Sequence, residues 1–428
     1  MEEKFKKIIV EISRVFLGIV FIFSGFVKAV DPWGGAYKIL DYFSAFELSA
    51  FNFSALPLSF LQAAIEFAVG VCLIIGVYRK LSATLALLIM LFMTPLTLYL
   101  AVKNPVTDCG CFGDALVISN WQTFYKNIFL LIAAVFLFMW SQYMTRFFSK
   151  KRYFSLTLWV FIFIFGLSYY CFYYLPVLDF RPYKIGANIP EKMIIPENAA
   201  HNEYEVTLIY ANKEGEQKEF TLYNYPKEDD SWTFVDSKSK LIKKGYQPPI
   251  KDFVVTNADG FDITYDLLSN PSYTFLLVSH KLDKAKDTNV DKINDIFDFS
   301  KNTGYNFFTL TSSSFDDIKT WIENTGAEYP FCTMDDITLK TIIRSNPGLL
   351  LIKEGTIIDM WPNTRLPDID KLSNLISDSN KGKTQIPNDI VTIILLFLIL
   401  FVPIKVVYLF DYIFSTNRKT KIKINTII

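Results

Sequence analysis

The sequence predicts an α-helical membrane bundle of six spans joined to an extracytoplasmic α/β domain. Three observations predict it. The chain of 428 residues is 51% hydrophobic and carries 40 Phe and 23 Tyr, an excess gathered into runs of about 20 apolar residues, the length that crosses a bilayer as helix. Basic residues are sorted onto alternate segments between those runs. A charged, Asn/Asp-rich stretch, 176–388, separates the fifth run from the sixth.

The six runs fall at about 8–30, 57–77, 81–102, 123–143, 156–175 and 389–412. Equal counts of acidic and basic residues hide the sorting, and nothing in it indicates nucleic acid. Lys4, Lys6 and Lys7 precede the first run. Arg79 and Lys80 separate the second and third, and Arg146, Lys150, Lys151 and Arg152 the fourth and fifth. Arg418, Lys419, Lys421 and Lys423 follow the sixth. If the runs alternate, all four groups share one side, which the positive-inside rule makes cytoplasmic. The expectation is a multi-pass inner-membrane protein in the lipid bilayer, with both termini cytoplasmic and 31–56, the Cys109/Cys111 loop and 176–388 periplasmic. The first run lacks a small-x-small cleavage site and reads as a retained anchor. Glu11 and Arg14, three apart near its inner end, are placed to pair on one helix face.

Two of the five cysteines stand one glycine apart in the third-to-fourth loop, Thr107-Asp108-Cys109-Gly110-Cys111-Phe112-Gly113-Asp114. A pair that close can form only a small, strained ring, and strained disulfides are labile. Gly110 removes an obstructing side chain and permits unusual backbone angles. The loop faces an oxidising compartment, so Cys109 and Cys111 are the candidate redox pair or disulfide. Asp108 and Asp114 are expected to raise the thiol pKa, against strong activation. Cys72, Cys171 and Cys332 read as small buried apolar residues.

Within the hydrophilic stretch, alternation at 203–210 and 217–223 around Lys213-Glu214-Gly215-Glu216 suggests a β-hairpin. A strand at 253–256 meets the turn Asn257-Ala258-Asp259-Gly260. Then follow strand 273–278, helix 283–302, strand 307–310, helix 314–324, helix 336–344, strands 348–353 and 356–361, and helix 369–377. The domain boundaries are 1–150 for a four-helix bundle, 151–178 for the fifth span, 179–244 for a β-rich connector and 245–380 for the α/β domain. The sixth span, 387–413, and a basic tail, 414–428, complete the chain.

The β-α-β-α-β-β-α order, with Asn346-Pro347 before Gly348-Leu349-Leu350-Leu351, resembles the thioredoxin fold of membrane-tethered TlpA-like proteins. The resemblance implies a cis proline at Pro347 and a Cys-x-x-Cys where strand 273–278 enters its helix. That place reads Ser279-His280-Lys281-Leu282, without cysteine, so dithiol chemistry is excluded there. The domain reads as a docking module, with Ser279, His280, Asn346 and Pro347 as its groove. The histidines, His280 and His201, and Cys332 show no metal-ligand spacing.

Glu66 lies near the middle of the second run, about 13 Å from its outer end, where an acidic group is costly and marks a function or a buried pair. Gln62 stands one turn above it. Lys28, Lys126 and Asn127 converge on the same outer half, beneath Cys109 and Cys111. This polar cluster could steer protons, bind the head of a membrane carrier such as a quinone, or simply tie helices together.

Residues 1–145 resemble the DoxX-like superfamily, in particular its MauE-type four-helix members. The resemblance rests on Phe23-Ser24-Gly25-Phe26-Val27-Lys28 with Asp31-Pro32, on Glu66 with Gly70 and Gly76, and on Asp108-Cys109-Gly110-Cys111-Phe112-Gly113 with Asn127. It implies a role in maturing disulfide-rich periplasmic proteins or in quinone-coupled sulfur chemistry. The plan is also similar to bacterial vitamin K epoxide reductase homologues, which use Cys-x-x-Cys in both parts; this chain has neither. Two functions follow. One is thiol–disulfide exchange or electron transfer with an extracytoplasmic protein client. The other is a non-catalytic envelope scaffold or accessory subunit in which Cys109 and Cys111 are structural.

Overall fold

The computed structural model describes residues 2–200, 203–227, 229, 231–243, 245–380 and 386–425; His201 lies outside them. Among the described residues, six helices are long and apolar enough to cross a membrane. α1 (Glu2–Val30) is followed at once by α2 (Pro32–Ala45), and then by α3 (Ala55–Ile75), α4 (Arg79–Lys103), α5 (Asn120–Trp140) and α6 (Tyr153–Tyr173). α1 and α3 approach backbone to backbone. A Cβ on Gly25 would stand 2.4 Å from the Phe67 amide nitrogen, and one on Gly70 2.6 Å from that of Ile22. Lipid offers helices no hydrophobic drive to associate, so small residues at the contact supply the close packing. Glu11 and Arg14 do pair, at 2.6 Å. Cys72, Cys171 and Cys332 are all buried.

The segment 31–56, to which the sequence reading assigns no element, begins with α2. Asp31 caps it by accepting from the Gly34 N–H at 2.9 Å, and Pro32 occupies its first turn. Both are helix-start residues, because one satisfies a free amide and the other lacks one.

The hydrophilic stretch folds into two sheets. After the short α7 (Ile189–Met193) come β1 (Glu203–Asn212), β2 (Gln217–Thr221) and β3 (Trp232–Lys243), an antiparallel sheet ordered β2-β1-β3. The β1–β2 hairpin matches expectation. β3 is additional: its Asp236-Ser237-Lys238-Ser239-Lys240 has few of the apolar residues that mark strands. The second sheet follows α8 (Thr264–Ser269). It is built by β4 (Tyr273–Ser279), α9 (Val290–Thr303), β5 (Asn306–Thr311), α10 (Phe315–Thr325), β6 (Phe331–Thr333), α11 (Asp336–Ile342), β7 (Gly348–Lys353) and β8 (Thr356–Pro362), closed by α12 (Ile369–Asn380).

Its order is β6-β5-β4-β7-β8, with β4, β5 and β6 parallel and β7 antiparallel to both β4 and β8. This is thioredoxin-like topology. Leu276, Val278 and Leu350 face one layer of the core, and Phe275, Leu277 and Leu349 the other. Burial on both faces explains why these strands read as unbroken apolar runs.

Two expected elements differ. The strand at 253–256 reduces to bridges from Thr256 to Asp262 and Thr333, because the chain turns at Asn257–Gly260 before a ladder can extend. The helix expected from 283 starts at Val290, since the Leu282 N–H is held by Ser313 Oγ and the chain first makes a single tight turn.

α13 (Asp389–Asn425) continues beyond the expected end of the sixth span. Its Leu400 carbonyl accepts from Trp159 Nε1 of α6 at 3.2 Å. The thioredoxin-like domain sits on the end of the bundle that carries the cysteine loop. Trp33 of α2 stacks on Phe172 of α6, and Arg344 reaches Asp31 with three contacts of 2.8–3.0 Å.

Candidate functional site

The site is built from four elements: α1 and α3, the loop between α4 and α5, and α2 beside it. Gly110 has φ +67°, and a Cβ there would run into the Lys38 side chain, so glycine is required twice over. Asp108 turns the loop by accepting from the Gly110 N–H at 2.8 Å, and Lys38 Nζ neutralises it at 3.0 Å. The Tyr42 hydroxyl donates to the Cys109 carbonyl at 2.8 Å.

In this frame Cys109 and Cys111 are thiols with Sγ atoms 3.0 Å apart. Cys109 is buried, and its pKa rises through its hydrogen bond to Cys111 and through burial. Cys111, half-buried, moves the other way. The Cys109 thiol hydrogen bond lowers its pKa most, with Lys126 and Lys28 adding positive charge. The expected deactivation by Asp108 and Asp114 is therefore corrected. Lys38 neutralises the first, and Arg344 lies 3.2 Å from the second.

Beneath the loop lies the polar cluster. Lys28 Nζ is 2.6 Å from Glu66 Oε2, both nearly buried, and Gln62 Nε2 donates to Glu66 Oε1 at 3.0 Å. The Ser24 hydroxyl accepts from Lys28 at 2.9 Å. Its single proton has two acceptors at 2.7 Å, Glu66 Oε2 and the Cys111 carbonyl. One serine thus joins the buried ion pair to the cysteine loop. Asn127 donates to Thr97 Oγ1 at 3.2 Å, and Lys126 Nζ lies 4.2 Å over the Phe112 ring.

A cavity of about 30 Å³ is bordered by Ser24, Lys28, Glu66, Cys111, Lys126 and Asn127. It has room for one water. A quinone ring does not fit it.

The groove residues are placed differently from one another. Ser279 is fully buried and donates to Asn346 Oδ1 at 2.7 Å, while Asn346 Nδ2 donates to the Lys281 carbonyl; the Asn346-Pro347 bond is cis. His280 is half-buried against the edge of Tyr37 from α2, with ring centroids 6.5 Å apart. Burial, first, and then Lys340 hold its imidazole below the usual pKa. The groove end of the domain therefore meets the chain's own bundle. Between them lies a chamber of about 320 Å³, walled by Asp108, Gly110 and Asp114 on one side and Lys340 and Arg344 on the other.

Sequence reasoning missed Asp31, Lys38, Tyr42 and Arg344. Asp31-Pro32 was a visible helix-start signal. The others acquire meaning only from the fold.

These features define a multi-pass membrane protein that carries a thioredoxin-like domain, without cysteines at the Cys-x-x-Cys position, on a bundle with a cysteine loop. Residues 6–140 match the family of methylamine utilisation protein MauE. Residues 204–244, essentially the β1–β3 sheet, match a domain family of unknown function, DUF8463. No curated protein matches the chain. Among solved structures, a proposed protein disulfide isomerase from Bacteroides thetaiotaomicron is 17% identical over 30% of this chain and 84% of its own, with TM-score 0.25. The thioredoxin domain of a thiol-disulfide oxidoreductase from Bacteroides vulgatus is 14% identical over 29% and 91%, TM-score 0.24. A proposed thioredoxin from Neisseria meningitidis is 15% identical over 30% and 88%, TM-score 0.26. The thioredoxin-like topology stands on the strand order and register themselves.

Proposed function

We propose that the protein exchanges thiols and disulfides with an extracytoplasmic client, with Cys111 as the attacking sulfur and Cys109 as the resolving one. The observation that carries this is the geometry of the pair: the two sulfurs stand 3.0 Å apart, and the Lys126 and Lys28 charges act on Cys111, which favours it as the thiolate.

Cys111 Sγ attacks a client disulfide. A Cys111–client bond forms, the client's own S–S bond breaks, and the departing client thiolate takes up a proton. Cys109, losing its proton, then displaces the client sulfur from Cys111 and closes the Cys109–Cys111 bond. The client leaves as a dithiol, two electrons richer, and the pair is oxidised. Run backwards, the same steps oxidise a client dithiol, so the relative potentials set the direction.

In this reading the domain on the outer face docks and covers; it performs no dithiol chemistry of its own. The basic residues between spans support an inner-membrane location, with both termini cytoplasmic and the thioredoxin-like domain periplasmic.

The test is acid quenching and thiol trapping in whole cells producing wild type, Cys109→Ser, Cys111→Ser and the double variant. Cys109→Ser should accumulate a mixed disulfide through Cys111, because the resolving thiol is gone; the double variant should show none. A chain that never forms an adduct, with the double variant fully functional, would leave the scaffold reading in its place.

A further inference from the structure

At the end of the bundle opposite the soluble domain, α4 begins and the α5–α6 connection crosses over it. An open cleft of about 400 Å³ lies there, lined by Tyr78, Arg79, Lys80, Leu81, Ser141, Gln142, Arg146, Lys150 and Tyr153. Four of these nine side chains are cationic and none is acidic. Arg79 spends one guanidinium nitrogen on the Gln142 and Met144 carbonyls, at 2.7 and 2.6 Å, which fixes the connection over the helix start. Arg146 stands close enough for the two guanidinium groups to repel.

Among the described residues, no carboxylate forms an ion pair with Lys80, Arg146 or Lys150, although Asp411 is nearby and engages Arg152 and Ser149. Tyr78 and Tyr153, both lining the cleft, pack edge to face at 5.2 Å. Tyrosines at this level mark the membrane–water boundary.

Like charges converging on one concavity are costly unless an anion joins them. Arginine with lysine at the headgroup level of a bilayer suits phosphate, bidentate from the planar guanidinium and point-charge from the ammonium groups. We infer that this cleft is a binding site for a phosphate group, with Arg79, Lys80, Arg146 and Lys150 as its cations. A phosphodiester lipid headgroup and free phosphate share that chemistry. Tyr78 and Tyr153, which also line the cleft, offer apolar ring surface to the acyl chains of a lipid and none that free phosphate would use.

The experiment uses the full chain purified in a neutral detergent. Native mass spectrometry reads lipid retained from phosphatidylglycerol or phosphatidylcholine, and thermal unfolding is followed with and without inorganic phosphate. Lys80→Gln/Lys150→Gln and Arg146→Gln/Lys150→Gln spare Arg79 and hence the fold of the connection. Lys4→Gln/Lys7→Gln removes two exposed cations from the same membrane side but outside the cleft.

Phosphatidylglycerol should be retained over phosphatidylcholine. Each cleft double variant should lose it by roughly 25-fold, about fivefold per cation, while the Lys4/Lys7 variant stays near wild type. Protection by inorganic phosphate that is lost in the cleft variants, without lipid selectivity, would assign the site to the free anion. Equal losses in all three variants would mean diffuse surface charge, and neither lipid selectivity nor phosphate protection would mean no site; either result overturns the inference.

Discussion

Cys111 draws its thiolate character from three neighbours: the Cys109 thiol that donates to it, Lys126 and Lys28. Their combined effect lowers its pKa to about 6, against an ordinary 9.0. Alkylation of Cys111 by a small maleimide should therefore be close to its plateau at pH 7. Below pH 6 it should fall about tenfold per unit as the thiolate is protonated. Cys109→Ala removes the largest of the three contributions, so the midpoint should climb toward 9; a midpoint left near 6 would show that the lysines suffice. One layer down, Lys28 and Glu66 are a buried pair at 2.6 Å. Removing one partner strands the other charge in the bundle, at a cost of about 3–5 kcal/mol. Glu66→Leu alone should lower the melting temperature sharply in detergent, and Lys28→Met/Glu66→Leu should recover most of the loss. Failure of the double variant to recover would point to Ser24 and Gln62 as the partners that matter.

At the scale of elements, Asp359 on β8 is at odds with its place in the sheet. Burial raises its carboxyl pKa from 3.8 to about 6, only partly offset by the Met360 N–H. A folded-state pKa above the unfolded value means that the protonated form favours the fold. That stability is complete below about pH 4 and is lost as the pH rises through 6. Asp359→Asn should accordingly raise thermal stability at pH 8, by ~1–3 kcal/mol, and leave it nearly unchanged at pH 4. Elements also show what a sequence can reveal. The spans were legible because lipid demands some 20 consecutive apolar residues and tolerates few charges. β4 and β7 were legible because both their faces are buried. α2 escaped, although Asp31 and Pro32 announce it, because its Gly-rich first turn and mixed pattern lie in a segment that hydropathy assigns to a loop. β3 escaped because its serines and lysines carry no apolar alternation. Of the site, Cys109, Cys111, Lys28 and Glu66 were legible as residue types out of place in their surroundings. Arg344 was not: its partner Asp31 lies 313 positions earlier, and no local pattern joins them.

The whole molecule is held in one arrangement by that long-range contact. Arg344 leaves the thioredoxin-like domain just before Asn346-Pro347, grips both oxygens of Asp31 at the outer end of α1, and reaches Asp114 in the cysteine loop at 3.2 Å. The same guanidinium lies over Tyr37, 5.5 Å from its ring centre, and Lys340 lies over that ring as well. One side chain thus ties the domain to the bundle and to the loop that holds the thiols. Cys109 is buried and Cys111 lines the cavity under the loop; in the proposed exchange, yielding of this latch would bring a client disulfide to the sulfur. Arg344→Ala removes the cation and leaves Asp31 and Asp114 facing one another across a partly buried gap, a loss of about 3–5 kcal/mol in docking. The domain should then stand away from the bundle more often, since its remaining ties to α2 and α6 are the His280–Tyr37 edge contact, the Lys340 and Lys286 cations over Tyr37 and Tyr173, and the Thr364–Tyr173 hydrogen bond. Two readouts should move together in Arg344→Ala: faster alkylation of Cys111 at fixed pH, and faster proteolysis of the segment between α6 and β1. The alkylation midpoint should hardly shift, because Lys28, Lys126 and Cys109 are untouched. Arg344→Lys keeps the charge but not the bidentate grip, and should fall between the two. Unchanged alkylation in Arg344→Ala, with the segment opened to protease, would mean that the loop alone shields the thiols. The thioredoxin-like domain would then be a passenger on the site and not its cover.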